Sequence, residues 1–295
     1  MNEKNSHARS KRTNLIIRNT IIYIILTVMA VVWLIPFVYL LAQSFGKNLE
    51  ANYFFPREWT FDNYKNLFVG EVAKTYPFWR WWLNTFFIAS VSAIFKTCLV
   101  LMSSYALSRL RFKSRKLLMK LVLILGMFPG FLGMIVVYFT LSLLNLTGPT
   151  MVPITLIIIY CSGSLMDYYI AKGFFDTISK SLDEAAMIDG ASKNTIFWKI
   201  IMPLSKPIVV YTILMAFTGP WGDFMLPSIL MKGDRTAFNV AVGLKNHILG
   251  DRAEVLKNFP LFCAGGAVTS LPIIILFFWL QKYYVQGITG GAVKG

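Results

Sequence analysis

Three long stretches of the chain, residues 19–46, 121–166 and 258–281, contain no charged side chain. A helix that crosses a bilayer needs about 20 consecutive, mostly apolar residues, because backbone N–H and C=O groups in hydrocarbon can be satisfied only within the helix itself. Each stretch meets that length, and 121–166 is long enough for two crossings. Composition agrees: 56% of residues are hydrophobic and 15% charged, against about a quarter charged in a soluble domain. The chain therefore reads as an all-α membrane protein with six transmembrane helices near 20–44, 83–108, 121–143, 151–171, 208–231 and 259–281.

Charge placement sets the orientation. The net charge is +15, and its cations collect in short segments beside the spans. The tail 1–19 holds Lys4, Arg9, Lys11, Arg12 and Arg18, and residues 109–120 hold Arg109, Arg111, Lys113, Arg115, Lys116 and Lys120 without an acid. Short basic segments stay cytoplasmic. Both termini, including the tail 282–295, are thus expected inside, with loops 109–120 and 172–207; loops 45–82 and 232–258 face outward. The cations border lipid-facing runs and suit membrane lipid head groups, not nucleic acid. The first apolar run is too long for a signal peptide, and no small-residue cleavage site follows it.

Several chemistries find no support. Cys98, Cys161 and Cys263 are far apart in apolar contexts and read as small core residues. With His7 and His247 the only histidines, no histidine metal cluster is expected. The sole Gly-Lys pair, Gly46-Lys47, is followed by Asn48, so there is no phosphate-binding loop and no bound ATP is expected.

The polar island 172–207 has its own local logic. Ser181-Leu-Asp-Glu184 has capping-box spacing, with Ser181 as cap and Glu184 reaching back. A short helix is predicted over 182–189, broken at Gly190. Ser192 then caps a second short helix that stops near Pro203. Such a pair is either a compact knuckle projecting into the cytoplasm or an amphipathic loop on the membrane surface.

The spacing Glu184-Ala185-Ala186, Gly190, Ile200, Met202-Pro203 resembles the EAA loop of ABC-importer permeases, with Met202 where the family pattern has Leu. Further stretches extend the resemblance over most of the chain. Met127-Phe-Pro-Gly130, Lys172-Gly-Phe-Phe175, Ser181 to Ala191 and the ending Val285-Gln-Gly-Ile-Thr-Gly-Gly-Ala-Val-Lys-Gly295 are similar to the MalG-type permease of maltose and maltodextrin importers.

That resemblance implies a permease domain over 20–281, with its coupling loop at 181–203, in a prokaryotic plasma membrane. It implies alternating access and transport of an oligosaccharide, with maltodextrin the first expectation. The implied partners are a MalF-like permease, an ATPase dimer that uses ATP and Mg, and an extracellular sugar-binding protein probed by loop 232–258. Glu184 would meet a basic residue of the ATPase, Ala185, Ala186 and Gly190 would permit close approach, and Gly290 and Gly291 would thread into the ATPase interface.

Some residues stand apart from that pattern. Lys96 lies midway through the second span, where an ammonium needs a partner. Asp223, a backbone carbonyl or the partner permease are candidates. Gly219-Pro-Trp-Gly-Asp-Phe224 predicts a broken fifth span with Trp221 and Asp223 lining a transport path. Trp79, Arg80, Trp81 and Trp82 read as an interfacial belt. An ion-coupled secondary sugar transporter is the main alternative, but no inverted repeat is visible. An intramembrane enzyme would need a catalytic pair within the spans, and none is present.

Overall fold

Backbone groups in an apolar environment leave only helix as a local solution, and each of the six apolar segments is helical. The structure, a computed structural model, describes residues 2–47, 53–128, 130–147, 151–163, 165–231, 236, 238–250 and 252–292. Its helices are α1 (Asn2–Ser44), α2 (Asp62–Phe68), α3 (Glu71–Thr75), α4 (Phe78–Arg109), α5 (Arg115–Gly126), α6 (Gly130–Leu143), α7 (Val152–Ser162), α8 (Leu165–Thr177), α9 (Ser181–Ile188), α10 (Lys193–Thr195), α11 (Met202–Leu204), α12 (Lys206–Gly222), α13 (Met225–Met231), α14 (Val240–Gly243) and α15 (Arg252–Ala292). Strand-like pairing among the described residues is a single bridge between Gly46 and Trp59.

Three of the expected spans form within unbroken helices long and apolar enough to cross a membrane: Asn14–Ser44, Phe78–Arg109 and Lys257–Tyr283. The other three are interrupted, each at glycine or proline. The third divides between α5 and α6, and the fourth bends by 40° between α7 and α8, where Gly163 ends α7. The fifth ends α12 at Gly222, two residues after Pro220, and restarts at Met225. Proline removes one helix hydrogen bond and glycine gives the backbone room to turn. The last helix continues past the expected span, so Gly290 and Gly291 belong to the end of α15. Residues 293–295 lie outside the described residues.

Two buried clusters organise the molecule around α4. The first joins Phe78, Trp81 and Ile88 of α4 to Leu156, Trp221, Leu230, Val240 and Ile248. The second lies towards the other end of α4, where Val100, Leu101 and Tyr105 meet Phe175, Ala186, Phe197, Ile201 and Ile208. Lipid is as apolar as leucine, so burial gives spans little reason to associate; close packing and interhelical hydrogen bonds do. α4 supplies both. Ser104 Oγ donates to the Tyr168 carbonyl at 2.9 Å, and Ser108 Oγ donates to Asp176 Oδ1 at 2.6 Å.

In segment 232–258, expected as a loop between the fifth and sixth spans, the described residues pack against the rest of the chain. Asn239, Val240, Val242, Leu244 and Ile248 are all buried. Val240 N–H donates to Thr85 Oγ1 at 2.8 Å, and Asn84 Nδ2 donates to the carbonyls of Thr236 and Phe238. Gly243 seats against Trp81 so closely that a Cβ there would come within 2.1 Å of the indole. Lys245 and Asn246 remain exposed, while 232–235, Ala237 and Asp251 lie outside the described residues. The aromatic belt is corrected by the same contact: Trp81 is a core residue, and only Trp79, Arg80 and part of Trp82 reach the surface. The cysteines divide similarly, with Cys161 and Cys263 buried and Cys98 exposed.

Candidate functional site

The polar island folds as two helices meeting at a glycine. α9 ends in a Schellman arrangement: Ala191 N–H donates to the Ala186 carbonyl at 2.9 Å, and Gly190 N–H donates to that of Met187 at 3.1 Å. The residue between must adopt a left-handed backbone, and Gly190 does so at φ +83°. Ser192 then caps the next helix as expected, its Oγ accepting from Thr195 N–H at 3.2 Å. That helix, Lys193–Leu204, contains a π-turn at Ile196–Ile201 just before Pro203. Proline has no N–H to donate and crowds the carbonyl four residues back, and widening the preceding turn relieves both problems. At Ser205 the chain turns by 83° into α12.

The capping box is not formed. Lys180, not Ser181, is the cap position of α9; Ser181 Oγ bonds instead with Ser179 Oγ at 2.7 Å. Glu184 is consequently free of a reach-back role and exposed.

The faces of α9 divide cleanly. Asp183 and Ala186 point inward; Glu184, Ala185, Met187, Ile188 and Gly190 face outward. Ala186, expected to allow close approach of an ATPase, packs into the second core at 8% exposure. Ile188 is 86% exposed at the tip, beside half-exposed Met187. An apolar tip flanked by a carboxylate is costly in water and suits a protein partner.

Lys96 and Asp223, considered as mutual partners, are not paired. Lys96 Nζ lies 2.8 Å from Asp167 Oδ2, an acid just past the break in the fourth segment. Sequence reasoning missed Asp167 because the uncharged run ends one residue earlier. Asp223 sits at the predicted break in the fifth segment, and the chain itself occupies its carboxylate. Tyr160 Oη donates to Oδ2 at 2.9 Å, Leu226 N–H donates to Oδ1 at 3.3 Å, and Asn239 Nδ2 donates to the Asp223 carbonyl at 2.8 Å. Trp221 is 3% exposed and packs against Trp82, Phe86 and Phe217. Its ring is covered in this conformation rather than open for stacking.

Residues 99–290 match the family described as binding-protein-dependent transport system inner membrane component. The chain belongs to this family. The permease is 35% identical to the galactooligosaccharides transport system permease protein GanQ of Bacillus subtilis, over 92% of this chain and 94% of that one. It is 38% identical to the maltodextrin transport system permease protein MalD of Streptococcus pneumoniae, over 80% of both chains. To the maltose/maltodextrin permease MalG of Escherichia coli K12 it is 31% identical, over 75% of this chain and 74% of that one. Its fold matches a chain of a bacterial ABC transporter that imports the acidic polysaccharide alginate, with TM-score 0.73 and 22% identity, covering 91% of this chain and 96% of that one. It is a multi-pass membrane subunit of an ABC importer and not itself an enzyme; ATP is hydrolysed by a separate subunit.

Proposed function

We propose that this permease imports an oligosaccharide of the maltodextrin or galacto-oligosaccharide type by alternating access. Maltodextrin is the first choice from the MalG-like motifs, and the similarity to GanQ makes galacto-oligosaccharides the second. The partners are a MalF-like permease, two ATPase subunits and an extracellular sugar-binding protein. Both termini are cytoplasmic, in keeping with the basic tail.

The observation that carries this reading is the geometry of the α9 knuckle. Exposed Glu184 and the apolar tip Met187 and Ile188 stand on a short helix whose other face is locked into the second core. An ATPase gripping the exposed face moves that core and, with it, α4, α8 and α12. Gly290 and Gly291 supply a further ATPase contact at the chain's end. Lys96 and Asp223 bind neighbouring residues, so they shape the path and do not hold the sugar.

The test is reconstitution with the partner subunits and uptake of labelled maltodextrin against labelled galacto-oligosaccharide. Uptake should require ATP and loaded binding protein and survive collapse of ion gradients. Uptake that follows an ion gradient without ATP would return the reading to a secondary transporter. Deleting 290–295 should spare assembly and weaken the response of ATP hydrolysis to loaded binding protein; an unchanged response removes the tail from the coupling machinery.

A further inference from the structure

One side chain joins the end of α4 to the coupling helix. Arg109 is the last residue of α4, and its side chain is 3% exposed. Its Nη2 donates to the Ile178 carbonyl at 2.8 Å, in the turn that leads to α9. Its Nε lies 3.3 Å from Oδ2 of Asp183, whose side chain is 13% exposed. Arg109 Nε and Nη1 and Asp183 Oδ1 are buried without hydrogen bonds, so the contact is a charge pairing with no formed hydrogen bond at Nε. Burying two such charges is expensive, and a pair so poorly saturated is a weak source of stability. It does, however, fix an orientation.

Asp183 and Glu184 are neighbours on one helical turn, the first turned inward and the second outward. Successive helical residues are about 100° apart around the axis. Fixing the direction of Asp183 therefore fixes the direction of Glu184. The remaining ties of α4 to α8, namely Lys96 to Asp167, Ser104 to the Tyr168 carbonyl and Ser108 to Asp176, do not involve Arg109. Arg109 is thus the described polar tie from α4 to α9, and its loss should loosen the coupling helix while leaving the helix pair beneath it in place.

We propose that Arg109 is a positioning residue for energy coupling. Through Asp183 it sets the rotation of α9 about its axis, so that motion at Glu184 reaches α4 through this polar tie as well as through the packing of Ala186 in the second core. The proposal rests on the reading of α9 as the ATPase-docking helix.

The experiment uses the whole reconstituted complex and Arg109→Gln. Expected are normal ATPase co-purification and near-normal basal ATP hydrolysis. Stimulation by loaded binding protein should fall about fivefold or more, the scale of a typical coupling factor, with fewer sugars moved per ATP. Wild-type stimulation and stoichiometry would overturn the proposal. Should Arg109→Gln fail to assemble, the neutral pair Arg109→Gln/Asp183→Asn removes the stranded charge and decides the matter. An assembled double variant with weak stimulation supports positioning. One with full stimulation, or one that still fails to assemble, assigns the pair to folding alone and overturns the proposal. Glu184→Lys runs alongside: loss of the ATPase there keeps the docking reading standing whatever Arg109 does, and retention of the ATPase removes it.

Discussion

Lys96 Nζ and Asp167 Oδ2 stand 2.8 Å apart between the second and fourth apolar segments, with their side chains 14% and 17% exposed. Removing one partner of a buried pair strands the other, at a cost of about 3–5 kcal/mol, whereas replacing both with apolar residues is often neutral. Lys96→Met should therefore lower the thermal stability of the purified complex, and Lys96→Met/Asp167→Leu should recover most of the loss. A single variant as stable as wild type would show that the pair contributes nothing.

Glu184→Lys places a cation on the exposed face of α9 without touching the core beneath it. Membrane insertion and expression should be normal, and co-purification of the ATPase should fail because like charges meet at the joint. Undiminished pull-down together with undiminished uptake would falsify the role of Glu184.

At Gly190 the obstacle to a side chain is conformational. No atom lies within 4 Å of a Cβ built there, but φ is +83°. Alanine in a left-handed backbone costs about 1–2 kcal/mol, and a β-branched side chain costs more. Stimulated ATP hydrolysis should decline in the order Asn, Ala, Val, since Asn tolerates this region best. Full stimulation in Gly190→Val would show that the joint between the helices does not need this backbone.

Gly243 presents the opposite case, a steric one. A Cβ there would meet three atoms of the Trp81 ring at 2.1–2.6 Å. Overpacking of this kind costs about 1–3 kcal/mol. Gly243→Ala should undock the 238–250 segment, increasing its cleavage by added protease. Wild-type resistance to protease would show that the indole moves aside at little cost.

Local rules carried the polar island 172–207 a long way. Gly190 as the break and Ser192 as the cap were legible because each depends on backbone geometry and a partner within three or four residues. The capping box was not, since Ser179 stood equally near and took the Ser181 hydroxyl. The break at Asp223 was foreseen from proline and glycine, but not the use of its carboxylate. Tyr160 is 63 residues away in the chain.

The sequence by itself determined an all-helical membrane protein, its family and the two-helix joint at Gly190. Uncharged length, glycine and proline act locally, and the EAA spacing is a linear signal. Tertiary structure alone decided which charges meet and which small residues face inward. Lys96 chose Asp167, Arg109 reached Asp183 across 74 positions, and Ala186 turned into the core while Glu184 turned out. The physical reason is that buried charges and close packing are resolved by whichever groups the helix crossings bring together, and no period or spacing along one chain records those crossings.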